Sequence, residues 1–172
     1  SQLKNNNAKE EYYLTDLVLL QRAAGGHCAY VLGPAEDMEG VNDRVQLSIA
    51  EKRMQQKLRD TAMRGGVTMI APDTVYLSTD TIMGQDIVIE PNVVIGAGVK
   101  IDNGVVIKAN SYLEHVTIEK GARIGPFARI RDHSVVGQNV QIGNFVEIKK
   151  SVIGQGTKAN HLTYLCDLDI GE

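Results

Sequence analysis

The sequence predicts a mainly β fold, a parallel β-helix over residues 67–172, with a short helix–strand–helix segment over 1–66 in front of it. Three observations carry this reading. A large apolar residue recurs every sixth position: Leu77, Met83, Ile89, Ile95, Ile101, Ile107, Leu113. The beat skips one residue and resumes at Ile118, Ile124, Ile130, Val136, Ile142 and Ile148, then slips again to Ile153, Ala159 and Leu165, and again to Ile170. The position two before the beat is small or β-branched: Val75, Thr81, Ile87, Val93, Val99, Val105, Val116, Ala122, Ala128, Val140 and Val146. Glycine often follows the beat, as at Gly84, Gly96, Gly125, Gly137, Gly143, Gly154 and Gly171.

Residues two apart on a strand share a face, so each beat residue and the one two before it point inward together. A glycine or polar residue after the beat allows a sharp corner. One strand and one corner take six residues, and three such units close a triangular coil of about eighteen residues. Stacked coils then bury one continuous apolar core. An ordinary β-sandwich would show turns of varying length in place of one fixed period.

The first 66 residues read differently. Thr15 or Asp16 can cap a helix running through Leu17–Ala24, which Gly25 can end. His27–Leu32 reads as a short strand stopped by Gly33-Pro34. Gly40-Val41-Asn42-Asp43 opens a second helix, with Leu47, Ala50, Met54, Leu58 and Ala62 at helical spacing and Gly65-Gly66 at its end. This helix is expected to cover the open edge of the first coil. The segment is too short to bury an α/β core of its own. The beat is still running at Ile170-Gly171, so both ends are expected to be cuts inside a longer polypeptide.

Composition narrows the function classes. At 43% apolar and a net charge of −3, the chain lacks the net positive charge usual in a nucleic-acid binder. No apolar run approaches the ~20 residues of a membrane span. Cys28 and Cys166 are far apart and read as free thiols in a reducing cytoplasm.

The coil period sorts the beat into vertical ladders. One runs Leu77, Ile95, Leu113, Ile130, Ile148, Leu165, and the residues just after it form a corner column: Gly96, Glu114, Arg131, Lys149, Cys166. Arg131 and Lys149 should therefore lie one coil apart, about 4.8 Å. Two cations so close are unfavourable unless an anion sits between or beside them. The column reads as a phosphate site with no anion of its own; alternatively, both side chains splay into water. Arg129 and Glu147 face outward as a modest surface pair. His161, one coil on and near that corner, is the side-chain type best suited to accept a proton near neutral pH. His115 and His133 sit one coil apart at loop positions with no third histidine at a fitting place, which disfavours a metal pair.

Three segments, Gly125-Pro126-Phe127-Ala128-Arg129-Ile130-Arg131, Gly143-Asn144-Phe145-Val146-Glu147-Ile148-Lys149-Lys150 and Lys158-Ala159-Asn160-His161-Leu162-Thr163-Tyr164-Leu165, closely resemble one family. It is the bacterial bifunctional N-acetylglucosamine-1-phosphate uridyltransferase / glucosamine-1-phosphate acetyltransferase. Asn5-Asn6-Asn7-Ala8, Glu11–Asp16 and Gly40-Val41-Asn42 look like the end of its uridyltransferase domain. The resemblance implies a left-handed parallel β-helix with acetyltransferase activity over 67–172, and the C-terminal α/β tail of a nucleotidyltransferase domain over 1–66.

By the same resemblance, His161 is the general base that deprotonates the amine of glucosamine-1-phosphate, and Glu147 orients or polarises it. Arg131 and Lys149 hold the sugar phosphate and Tyr164 contacts the sugar. Acetyl-CoA is the acetyl donor, and a homotrimer places it between neighbouring β-helices. In the uridyltransferase part, which uses UTP and Mg²⁺, Asn42 is implied as a metal ligand and Tyr13 and Thr15 as contacts to N-acetylglucosamine. The family's glycine-rich loop and aspartate metal ligand are expected before residue 1, and most acetyl-CoA contacts after Glu172. Cys166 stands where the family has glycine, at the top of the cation column. Two other readings remain open: a hexapeptide acyltransferase acting on another amine, or a β-helix scaffold without activity.

Overall fold

The computed structural model describes residues 3–35 and 38–171. These form two compact units, divided after Val41.

In the first unit α1 (Asp16–Ala23) forms where expected. Thr15 makes no capping side-chain bond; its own backbone is already helical, which turns the hydroxyl away from the free N–H groups. Gly25 closes the helix at φ 79°, a left-handed conformation that costs glycine nothing. The expected strand over His27–Leu32 does not form. Those residues are irregular, and Val31 is 92% exposed. A strand needs a hydrogen-bonded neighbour, and the described residues of this unit contain none.

The second unit begins with α2 (Arg44–Arg64). Asp43 caps it, accepting from the Gln46 N–H at 2.8 Å, while the Gln46 amide oxygen accepts from the Asn42 N–H at 2.6 Å. Leu58 and Ala62 pack on the core as the helical spacing predicts. The deepest side chains of α2, however, are Gln55 and Arg59. Gln55 Nε2 donates to the Leu77 carbonyl at 2.8 Å, and the Leu77 N–H donates to Gln55 Oε1 at 2.9 Å. One side-chain amide thus replaces a missing strand neighbour at the first coil's open edge. Arg59 adds a bond from Nη1 to the Val75 carbonyl at 3.3 Å.

The rest is a parallel-strand solenoid with three faces, all of whose strand pairs are parallel. On one face Leu77, Ile95, Leu113, Ile130, Ile148 and Leu165 stand in register, as the beat requires. A second carries Ile89, Ile107, Ile124, Ile142 and Ala159, and the third Met83, Ile101, Ile118, Val136, Ile153 and Ile170. The core starts one strand before Leu77, at Val67–Met69, and a short 3₁₀ turn, Pro72–Thr74, breaks the six-residue spacing between the two. Three buried serines, Ser111, Ser134 and Ser151, occupy inward positions where small apolar residues are the rule. Ser134 and Ser151 satisfy their hydroxyls on the corner carbonyls of Arg131 (2.7 Å) and Lys149 (2.8 Å).

Candidate functional site

The site residues sit on three stacked segments: Arg129–Arg131, Gln141–Lys149 and Lys158–Cys166. Parallel register places Arg129 beside Glu147 beside Tyr164, and Arg131 beside Lys149 beside Cys166. The outward position of one coil is therefore the direct neighbour of the same position on the next. This is the column that the period predicts, now with side-chain contacts attached.

The two cations are not bare. Arg131 Nε donates to Glu147 Oε1 at 2.8 Å, and Arg131 Nη1 lies 2.9 Å from Asp132 Oδ2. The same Asp132 oxygen is 4.0 Å from Lys149 Nζ. The expectation of two cations without an intervening anion is thus corrected: the protein's own carboxylates sit beside them. Glu147 also meets Arg129 Nη1 at 3.5 Å, so the predicted surface pair exists, but the shorter contact is to Arg131. The bond from Glu147, with Asp132 behind it, raises the Arg131 guanidinium above its ordinary range and keeps it charged. Asp132 is the residue that the column argument missed.

One coil on, Cys166 Sγ lies 3.0 Å from Asp167 Oδ2, and Asp167 Oδ1 is 3.2 Å from Lys150 Nζ. The thiol, and after it Lys150, lower the Asp167 carboxyl below the usual range. The thiol also raises the Tyr164 hydroxyl, helped by desolvation.

His161 is exposed and stands in register with Asn144. The bend follows at Leu162 (φ 50°), stacked above Phe145 and Phe127 (both φ 56°). The Arg131–Lys149–Cys166 column lies before the next bend, at Lys150 (φ 47°) and Asp167 (φ 53°). His161 therefore stands at the preceding corner and not at the cation corner itself. The bend at Leu162 and then Tyr164 lie between them along the chain.

Phe127 and Phe145 stack with ring centroids 5.1 Å apart and leave about half of each side chain exposed. At the cation corner the rings of His115 and His133 lie 5.2 Å apart, tilted by 32°. Among the described residues no group of three or more His, Cys, Asp or Glu side chains is placed to hold a metal.

The family model described as bacterial transferase hexapeptide (six repeats) matches residues 80–115 and 115–150. The bifunctional protein GlmU of Azorhizobium caulinodans is 47% identical over 171 residues, covering 99% of this chain and 38% of that protein. GlmU of Acidiphilium cryptum is 52% identical over 167 residues, covering 97% of this chain and 38% of that one. The chain belongs to the GlmU family. It spans somewhat over a third of the length of these GlmU relatives. The acetyltransferase domain of PglB from Neisseria gonorrhoeae, solved in complex with acetyl coenzyme A, superposes with a TM-score of 0.53 at 17% identity. That match covers 71% of this chain and 64% of the other, and at such low identity it shows the solenoid fold alone.

The residues that the GlmU resemblance assigns to uridylyl transfer are less engaged. Tyr13 and Thr15 belong to the first unit, before and at the start of α1. Asn42 is exposed at the start of the second. Magnesium wants near-octahedral oxygen ligands and usually a carboxylate. The carboxylate beside Asn42 is Asp43, which is committed to capping α2. The described residues around Asn42 do not make a magnesium site by themselves. No helix among the described residues is long and apolar enough to cross a membrane. Both cysteines are free thiols.

Proposed function

We propose that this chain carries the sugar-phosphate half of an N-acetyltransferase site that acetylates glucosamine-1-phosphate from acetyl-CoA. The observation that supports it most is the pairing of Arg131 with Lys149 in one outward column, on the same strands that bear Tyr164 and His161. Arg131 and Lys149 bind the phosphate, and Tyr164 packs against the sugar. His161 takes a proton from the amine as its nitrogen attacks the thioester carbonyl. The new amide forms, the carbon–sulfur bond breaks, and coenzyme A leaves as the thiol, its sulfur taking the proton that His161 accepted. Glu147 orients Arg131; it is a positioning residue, since its hydrogen bond goes to the guanidinium and not to His161.

In the whole protein the same reading adds uridylyl transfer from UTP with Mg²⁺. Tyr13 and Thr15 then approach the N-acetylglucosamine moiety and Asn42 supplies one metal ligand beside carboxylates from elsewhere. The domain division then lies between residues 66 and 67, the enzyme is cytoplasmic, and its partners are small-molecule substrates and further copies of itself.

Titration of glucosamine-1-phosphate into the full-length protein and its Lys149→Ala variant tests the phosphate site. Loss of one charge-assisted contact at a half-exposed site is expected to weaken binding about tenfold. The difference should shrink as salt rises, because partly exposed charges are screened. Equal affinities for the two proteins refute the assignment.

The same reading includes a homotrimer with acetyl-CoA between neighbouring β-helices. A corner ridge of Phe127, Phe145 and Leu162, apolar and exposed, supports contact along one edge of the prism, and a C₃ ring closes such contacts. Light scattering of the full-length protein at micromolar concentration should return three times the chain mass. A monomer mass counts decisively against it.

A further inference from the structure

The corner after Arg131 is one residue longer than the corners stacked on either side of it. Below it, Glu114 and His115 link the inward residues Leu113 and Val116; above it, Lys149 and Lys150 link Ile148 and Ser151. Between Ile130 and Ser134 the chain passes through Arg131, Asp132 and His133. Both Asp132 (φ 56°) and His133 (φ 60°) take the left-handed conformation, whereas His115 and Lys150 each do so alone in their corners. Two successive non-glycine residues in that region concentrate backbone strain, and such strain gathers where function requires it. The corner is anchored through the Arg131 carbonyl, which accepts from Ser134 Oγ at 2.7 Å and from the Lys150 N–H at 3.3 Å.

The strained corner places a carboxylate. In an extended strand the residue after Arg131 would point to the opposite face. The left-handed turn at Asp132 instead brings its side chain alongside, with Oδ2 2.9 Å from Arg131 Nη1 and 4.0 Å from Lys149 Nζ. Glu147 holds the other edge of the same guanidinium, through Nε at 2.8 Å. Asp132 therefore touches both cations proposed above to hold the sugar phosphate. A phosphate oxygen and this carboxylate oxygen need the same donors.

We propose that Asp132 is an internal occupant of the Arg131–Lys149 anion site and sets its selectivity: a phosphate monoester binds by displacing it. The proposal rests on the phosphate-site reading of that column. The carboxylate sits beside both cations before substrate arrives. A phosphate dianion carries enough charge to replace it, and the released Asp132 side chain turns to water, where 43% of it is already exposed.

The test is calorimetric titration of inorganic phosphate into the full-length protein at low salt, following the component that Lys149→Ala abolishes. Asp132→Asn removes the charge but keeps the shape, and asparagine tolerates the left-handed conformation. It is expected to bind phosphate about fivefold more tightly, the scale of an exposed ion pair. Asp167→Asn removes the same charge two coils away, where its ion pair is with Lys150 (3.2 Å), and should change affinity less than about twofold. If Asp132→Asn binds no better than the parent while Lys149→Ala abolishes binding, the proposal fails and the phosphate site stands. A gain in Asp167→Asn as large as in Asp132→Asn reduces the effect to net charge and also overturns the proposal. If Lys149→Ala leaves phosphate binding unchanged, the phosphate-site reading falls and the proposal with it.

Discussion

His161→Ala in the full-length protein is expected to lower acetyl transfer about 10²–10⁴-fold, the usual cost of losing a general base. Uridylyl transfer should proceed at the parental rate in the same variant. His161 is exposed, makes no side-chain hydrogen bond among the described residues, and is held only through its strand, in register with Asn144. Its replacement therefore removes a proton acceptor without opening a cavity or orphaning a buried partner. That separation makes the experiment clean, because folding and assembly should match the parent. Glucosamine-1-phosphate should still bind, since Arg131 and Lys149 remain. A coupled assay of both reactions on one preparation supplies the internal control. Near-parental acetylation by His161→Ala would sink the assignment.

Gly143→Ala carries the largest expected effect on stability. Gly143 follows the inward residue Ile142, directly beneath the chain of the last coil. A Cβ at this position would overlap the Asn160 carbonyl oxygen outright and stand 2.5 Å from its carbon. Both atoms are backbone, so no rotamer change relieves the clash; the coils themselves must part. Each coil of a solenoid is stabilised by its neighbours, so the damage should concentrate in Lys158–Ile170 and its strand partners. The expected loss exceeds about 4 kcal/mol, in the range reserved for outright structural conflict. Acetyl transfer should fall with it, because His161 and Tyr164 lie on the displaced strand. Gly96→Ala is the matched control. There the nearest atom to the added carbon is the Leu113 carbonyl oxygen at 3.3 Å, which a shift of a few tenths of an ångström relieves. Thermal unfolding should show a large drop for the first variant and a small one for the second. Equal melting temperatures would overturn the account of why this corner is glycine.

Much of this molecule is written in its period. A strand rises by a fixed step and its side chains alternate, so a six-residue beat determines which residues turn inward, which share a face and which stack one coil apart. That is why Ile130 over Ile148, Arg131 over Lys149 and Glu147 beside Tyr164 could be stated from spacing alone. The helix caps at Asp43 and Gly65 were likewise local, each involving residues within one turn. The strand expected at His27–Leu32 was not determined this way. Its residues favour an extended chain, but a strand exists only through a partner, and local propensity cannot supply one.

What only the tertiary structure decided is where polar side chains spend their hydrogen bonds. Gln55 and Arg59 lie on the inner side of α2, where helical spacing alone favours apolar residues. Gln55 earns burial by pairing with the Leu77 backbone, 22 residues away in sequence. The six-residue count breaks between Val67–Met69 and Leu77, because the Pro72–Thr74 turn interrupts it. The spacing put Arg131 next to Lys149, yet it was silent on Asp132, which reaches the column only through a left-handed corner. His161 was expected near that corner, and the bend at Leu162 sets it at the preceding one, one side of the triangle away. Periodicity determines the position of a Cα along a coil; the direction of a bend and the rotation of a charged side chain depend on contacts between coils, which exist only once the solenoid has closed.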